Sequence, residues 1–335
     1  MTSHKEVFFC NVSTIECMAF EMKDVSGARL RRGGTPLAHT YSIVAFDPKT
    51  RDIGVGVQSH WFNVGAIVPW GKAGVGVVAT QSFVNPSFGP LGLEMMKKMS
   101  PKEVVDRLIA ADKGRNLRQL AVLDSKGRAA AYTGRSCIPA AGHLVGKTYS
   151  VQANMMLNDS VWPEISKAFV KTKGPLAERM VAALEAGEKA GGDIRGRQSA
   201  AILVVRGEST GNPWEDRLVD LRVDDSPEPL VELKRLLKVH RAYEHMNNGD
   251  LALETGDAEL ALRHYSSAEK LFPDNIEMRF WHAAALTNNG RFKEALPLFG
   301  KVFSEDDNWR EFVVRIAPLG LLRVNDKQLK RILRM

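Results

Sequence analysis

The chain has 335 residues, 44% of them hydrophobic and 25% charged, a globular balance with enough apolar material for a sizeable core and enough length for two domains. Its formal charge of +7 divides as +1 before Thr40, +5 over residues 40–226 and +1 beyond, with no basic stripe, which excludes nucleic acid as the natural partner. No apolar run reaches the roughly 18 residues needed to span a bilayer, and no basic segment followed by an unbroken apolar run forms a secretory signal, so a cytoplasmic location away from membranes is expected.

Residues 1–39 lack sustained periodicity and end in the glycine- and proline-punctuated run Arg29-Leu-Arg-Arg-Gly-Gly-Thr-Pro-Leu-Ala-His39; they read as a flexible extension. From Thr40 the texture changes to short β-rich segments at 41–46, 53–58 and 74–80, which read as consecutive strands. Asp47-Pro48 and Arg51-Asp52 supply turn chemistry between the first two, and the apolar–glycine alternation of the second suggests one face packed closely under another layer. Ser100-Pro-Lys-Glu103 opens a helix, because serine can cap, proline suits the first turn and glutamate completes a capping box. Val104, Val105, Leu108 and Ile109 form its buried stripe. Gln119–Leu123 and Arg128–Tyr132 make a hairpin around Asp124–Gly127, and Tyr149–Gln152 is strand-like. Leu176, Met180, Ala183 and Leu184 mark a second long helix that should end at Gly191-Gly192, after which 200–205 and 218–223 return to strand. This order predicts an α+β fold of mainly antiparallel sheets flanked by helices, not a doubly wound parallel sheet.

A repeat follows. Gly256, Ala261, Tyr265, Ala268 and Pro273 recur 34 residues later as Gly290, Ala295, Phe299, Val302 and Asp307, the tetratricopeptide period. Small residues at such positions let paired helices approach and aromatics fill the gap between them. The division expected is therefore an extension over 1–39, a sheet domain over 40–226 and an all-helical domain over 227–335, with repeats at 242–275 and 276–309. Such repeats bind a protein partner, mediate a homo-oligomer or cover the main domain.

Thr40–Ala45, Gly54–Ser59, Phe62–Gly65, Gly74–Gln81, Asn85-Pro86, Gln152–Asn154 and Ala190–Ser199 together resemble the bacterial and archaeal domain-of-unknown-function family 1028, grouped with the N-terminal nucleophile hydrolases. The resemblance implies a four-layer αββα sandwich and a chemistry in which a threonine, serine or cysteine heading the mature domain attacks an amide while its own α-amine acts as base. That amine, with a pKa near 8, is partly unprotonated at neutral pH and needs no separate histidine. Thr40 matches the nucleophile position. Members often begin at that threonine, whereas 39 residues precede it here. Either the extension is cut before Thr40, or the start lies downstream, or the extension stays and the peptide-bonded nitrogen cannot serve as base.

Ser42 shares a strand face with Thr40, and Ser59 and His60 end the second strand, where they can join Thr40 as catalytic residues, His60 orienting substrate or shuttling a proton, or serve as ordinary strand-end polar groups, His60 as a packed, hydrogen-bonded ring. Gln81 and Asn85 can hold a substrate carbonyl or form a turn, and Gln152 and Asn154 alternate on one face as neutral amides suited to a polar uncharged group. Asp193 and Arg195 lie in a glycine-rich loop that could bind a carboxylate or close a salt-bridged turn. Cys10, Cys17 and Cys137 lack CxxC spacing or a nearby histidine pair, so reduced thiols and no metal are expected. No cofactor signature stands out. The expected function is hydrolysis of a small amide-type substrate by Thr40; the alternative is a non-catalytic module that binds a metabolite or a protein.

Overall fold

The structure, a computed structural model, describes residues 37, 38 and 40–335. The flexible extension expected over 1–39 lies outside them except for residues 37 and 38, which form a short strand, β1 (Leu37–Ala38).

Two antiparallel sheets follow. The six-stranded sheet contains β2 (Thr40–Phe46), β3 (Ile53–Ser59), β8 (Gly142–Val145), β9 (Tyr149–Ala153), β10 (Ser199–Val205) and β11 (Arg217–Val223), in the order β11-β10-β3-β2-β9-β8. The other contains β1, β4 (Pro69–Lys72), β5 (Gly76–Phe83), β6 (Arg118–Asp124) and β7 (Ala129–Thr133), in the order β1-β5-β6-β7 with β4 also on β5. The three segments that read as consecutive strands are thus divided: β2 and β3 form a hairpin in register Thr40↔Ser59, and β5 belongs to the opposite sheet.

Helices cover both outer faces. α1 (Phe88–Met96) and α2 (Pro101–Ala111) pack on the five-stranded sheet through Phe88, Val104, Val105 and Leu108 against Val78, Leu120 and Val122. α2 begins with the capping box at Ser100 and Glu103 that its sequence encodes. α3 (Val161–Lys171) and α4 (Leu176–Lys189) cover the six-stranded sheet through Ile165, Phe169, Met180 and Leu184 against Tyr41, Ile43 and Ile202. The glycines of β3 lie under α4: a Cβ at Gly54 would stand 2.3 Å from the Met180 methyl carbon. The alternation is therefore a requirement of helix-on-sheet approach. Periodicity alone does not reveal α1 and α3, since Gly89, Pro90 and Gly92 interrupt the first and Pro163 sits in the first turn of the second. After the short α5 (Pro213–Asp216) the chain completes β11.

α6 (Pro229–Glu254) is 26 residues long and belongs to two packing units. Leu230, Leu233 and Leu237 join the core over the six-stranded sheet, while Ala242, Met246 and Ala252 pack with α7 (Ala258–Leu271). The boundary expected near residue 226 thus falls three residues before a helix that continues into the C-terminal region. α8 (Ile276–Asn288) and α9 (Phe292–Glu305) form the next hairpin, and α10 (Asn308–Ile316) and α11 (Asp326–Ile332) close its apolar side. α9 starts and ends 34 residues after α7 (258 to 292, 271 to 305). The turns entering them hold Gly256 and Gly290 at φ of 80° and 76°, left-handed values that favour glycine. Ala261, Tyr265 and Ala268 are buried in one hairpin, and Ala295, Phe299 and Val302 in the next. Among the described residues no helix is long and apolar enough to cross a membrane.

Candidate active site

Strand parity places the candidate residues. On β2, Tyr41, Ile43 and Ala45 face the α3–α4 layer and Val44 and Phe46 face the second sheet; Thr40 and Ser42 therefore point between the sheets. The same alternation turns Ser59, Ser150 and Gln152 inward from the six-stranded sheet, and Gln81 and Gln119 inward from β5 and β6, since their i±2 neighbours Val57, Ala79 and Ala121 line the inter-sheet core. All seven of these polar residues, with Asn154, are fully buried.

They form one hydrogen-bonded assembly around Thr40. The Thr40 hydroxyl donates to Ser59 Oγ at 3.3 Å. Its carbonyl oxygen accepts from the Asn154 main-chain N–H at 3.1 Å, from Asn154 Nδ2 at 3.3 Å and from Gln81 Nε2 at 3.1 Å. Gln119 ties the donors together: its Oε1 accepts from Gln81 Nε2 at 2.7 Å and Asn154 Nδ2 at 2.8 Å, and its Nε2 donates to Thr133 Oγ1 at 2.8 Å and the Ala153 carbonyl at 2.9 Å. Gln152 Nε2 donates to Ser42 Oγ, which donates to Gln81 Oε1, each at 2.5 Å. Such a closed network in a low-dielectric interior holds its members rigidly.

Gln81 and Asn154 thus meet at the Thr40 main chain, while the Gln152 amide reaches Gln81 through Ser42. Asn85 stands apart: its Oδ1 accepts from the Ser87 N–H and hydroxyl at 3.2 and 2.7 Å, the turn role of an asparagine before proline. His60 follows Ser59, and its main-chain N–H donates to Asp193 Oδ2 at 3.3 Å. Asp193 also accepts from Arg195, at 2.6 Å from Nη2 and 3.0 Å from Nε. Asp193 and Arg195 therefore close the glycine-rich loop against the end of β3, the salt-bridged-turn alternative. Among the described residues no group of three or more histidine, cysteine, aspartate or glutamate side chains could hold a metal ion.

Gln119, Thr133 and His143 belong to the assembly although the sequence did not single them out. His143 Nδ1 lies 2.8 Å from Thr133 Oγ1, and burial lowers the imidazole pKa below its usual 6.5, favouring the neutral ring. Behind Thr40, the Tyr41 hydroxyl donates to Glu188 at 2.8 Å, and burial together with that carboxylate raises the phenol well above its ordinary range. Tyr41 is a neutral donor there. Gln119 was legible in principle, since a glutamine two residues before Ala121 on a strand of otherwise apolar inward positions marks a polar patch in a core.

Two facing antiparallel sheets, with a threonine heading an inner strand at the polar end of the gap, define the first region as an α+β domain built around a buried strand-initial hydroxyl. Residues 40–233 match a family of unknown function, DUF1028. The chain belongs to that family. The crystal structure of a Silicibacter pomeroyi protein of the same family is similar, with 32% identity and a TM-score of 0.54 over 59% of this chain and 88% of that one. No curated protein matches the chain.

Proposed function

We propose that the sheet domain is an amidohydrolase of the N-terminal nucleophile type, with the αββα sandwich of that class, and that Thr40 becomes its nucleophile once the bond between residues 39 and 40 is cut. The observation that carries this reading is the setting of Thr40: it heads β2 with its hydroxyl on Ser59 and its carbonyl held by three N–H donors, while the chain just before it runs in the other sheet as β1. Cleavage there gives a fixed threonine with a free α-amine. The amine takes the proton from Oγ, Oγ adds to the substrate carbonyl carbon, and the C–N bond breaks with that proton passing to the leaving amine. Water then hydrolyses the threonyl ester, restoring the hydroxyl and releasing the acid. Gln81, Asn154 and Gln119 position Thr40, Gln152 and Ser42 brace Gln81, and Ser59 orients the hydroxyl. The helical hairpins, read as tetratricopeptide repeats, supply a surface for a protein partner or a second copy.

The second reading, a non-catalytic binding module, draws on the uncut chain, where the Thr40 nitrogen is an amide and cannot act as base. Intact mass and N-terminal sequencing of the purified protein separate the two. The expected mature terminus is Thr40, with amide-hydrolysing activity that Thr40→Ala abolishes while unfolding shifts by only about 1 kcal/mol, the worth of one hydrogen bond. Activity retained by Thr40→Ala overturns the assignment.

A further inference from the structure

The edge of β5 beside Thr40 is unused by this chemistry. β6 pairs with one side of β5 from Gly76 to Ser82. On the other side β4 pairs only over residues 76–79, and the Thr80 N–H donates to the Val68 carbonyl at 3.2 Å. Beyond that point the edge at Ser82 and Phe83 takes Ala38 and Leu37 as its antiparallel partners. Ser82 has φ of +70°, a left-handed conformation that costs a serine on the order of 1 kcal/mol and sets this piece of edge off from the part that β4 covers. An open strand edge is a row of main-chain donors and acceptors that binds any extended backbone.

We infer that the β5 edge at Ser82–Phe83 is the site for the acyl half of the substrate, that the substrate class is extended peptides or peptidyl amides added there as an antiparallel strand, and that residues 37–38 are a built-in occupant. The direction follows from the chain itself. A segment seated as 37–38 needs one more residue to reach Thr40, so the carbonyl it delivers is the one next in line for attack. Amides without an extended acyl backbone cannot use the edge. The direction of the bound chain rests on the Thr40 reading, whereas the edge itself does not. Tethered at millimolar effective concentration, the built-in occupant outcompetes free peptide in the uncut chain.

The test uses a fluorescein-labelled peptide of sequence Gly-Gly-Thr-Pro-Leu-Ala-His, corresponding to residues 33–39, followed by anisotropy. Three proteins are compared: the full chain, the full chain carrying Leu37→Pro and Ala38→Pro, and a chain starting at Thr40. The prolines remove both N–H donors of β1. Among the described residues the hydrophobic clusters draw on Tyr41 and later positions, and the family match starts at residue 40; unfolding temperatures check that both variants fold. Saturable binding is expected to the Thr40-start and double-proline chains, at least about tenfold tighter than to the full chain. Hydrogen exchange at 82–83 should speed up in the double-proline chain and slow again when peptide is added. A probe N-methylated at its Leu and Ala should not bind, because main-chain groups carry the recognition. Equal binding by all three proteins, no binding by any, or unimpaired binding of the methylated probe overturns the inference. A Thr40-start chain carrying Thr40→Ala should still bind the probe. The same peptide extended by a C-terminal anilide supplies the C–N bond that Thr40 would break: its binding to the Thr40-start chain without release of the aniline sinks the nucleophile assignment alone, and hydrolysis of simple amides by a protein indifferent to the probe sinks this inference alone.

Discussion

The two ends of the space between the sheets are built by the same strands on the same faces, yet they are filled in opposite ways. One end holds Val44, Phe46, Ile53, Val55, Leu123 and Leu203, and the other holds Thr40, Ser42, Ser59, Gln81, Gln119, Gln152 and Asn154. Both ends are closed to water. An apolar filling would stabilise the second end at least as well, because burying amides gains little once their water bonds are exchanged for protein ones. Polar residues along only one end of β2, β5 and β6 therefore point to use, and the network singles out one threonine as the group held in place.

Substitutions at the two ends sharpen the contrast. The largest stability effect is expected from Gln119→Leu, which strips Gln81 and Asn154 of their shared acceptor and Thr133 and the Ala153 carbonyl of a donor. With several buried groups left unmade, a loss of about 4 kcal/mol in denaturant unfolding is expected, and any Thr40 activity should fall with it. Leu123→Ala, on the same face of β6 at the dry end, should cost about 3 kcal/mol through its cavity and leave kcat unchanged. If the two variants lose activity in proportion to stability alone, the ends do not differ in function. Ser42→Ala interrupts the Gln152–Ser42–Gln81 relay and should cost about 1–2 kcal/mol.

The smallest effect is the pH response of His143. Burial lowers its pKa in the folded chain below 6.5. Above that value the ring is neutral in both states and stability is complete; below it the unfolded chain takes up the proton first, so stability falls as pH drops through the folded value. Urea midpoints between about pH 7.5 and 5 should therefore decline less steeply for His143→Gln than for the parent chain. His245 is also depressed by burial and by the neighbouring His264, so it sets a common background that the difference removes.

Local chemistry carried much of the outline. The capping box at Ser100 and the stripe of α4 are short-range patterns, the 34-residue recurrence is a spacing along the chain, and each appears at its place in the structure. Strand alternation also put Thr40 and Ser42 on one face, with Gln152 opposite Ser42 in the register of β2 and β9. Several of the candidate polar residues were thus visible, whereas their purpose was not. A glutamine that binds substrate and one that holds a neighbouring carbonyl look alike until the second sheet is laid over the first. Asn85, His60, Asp193 and Arg195 lie close to candidate strands in sequence, and only the packed fold assigns them to a turn and a loop closure. Gln119 and Thr133 entered the assembly through pairings between residues distant in the chain. The division at residue 226 rests on where the last strand ends and the helical repeats begin, but α6 runs through the join because its first turns supply leucines to one core and its later turns supply Ala242, Met246 and Ala252 to another. By itself the sequence determined the strands β2, β3, β6, β7, β9, β10 and β11, the helices α2 and α4 and the polar parity of β2 and β9, because those depend on neighbours within a few residues. Tertiary structure alone decided that β5 faces β2 and that one segment before Thr40 fills the edge beside it, because both depend on which distant strands share hydrogen bonds.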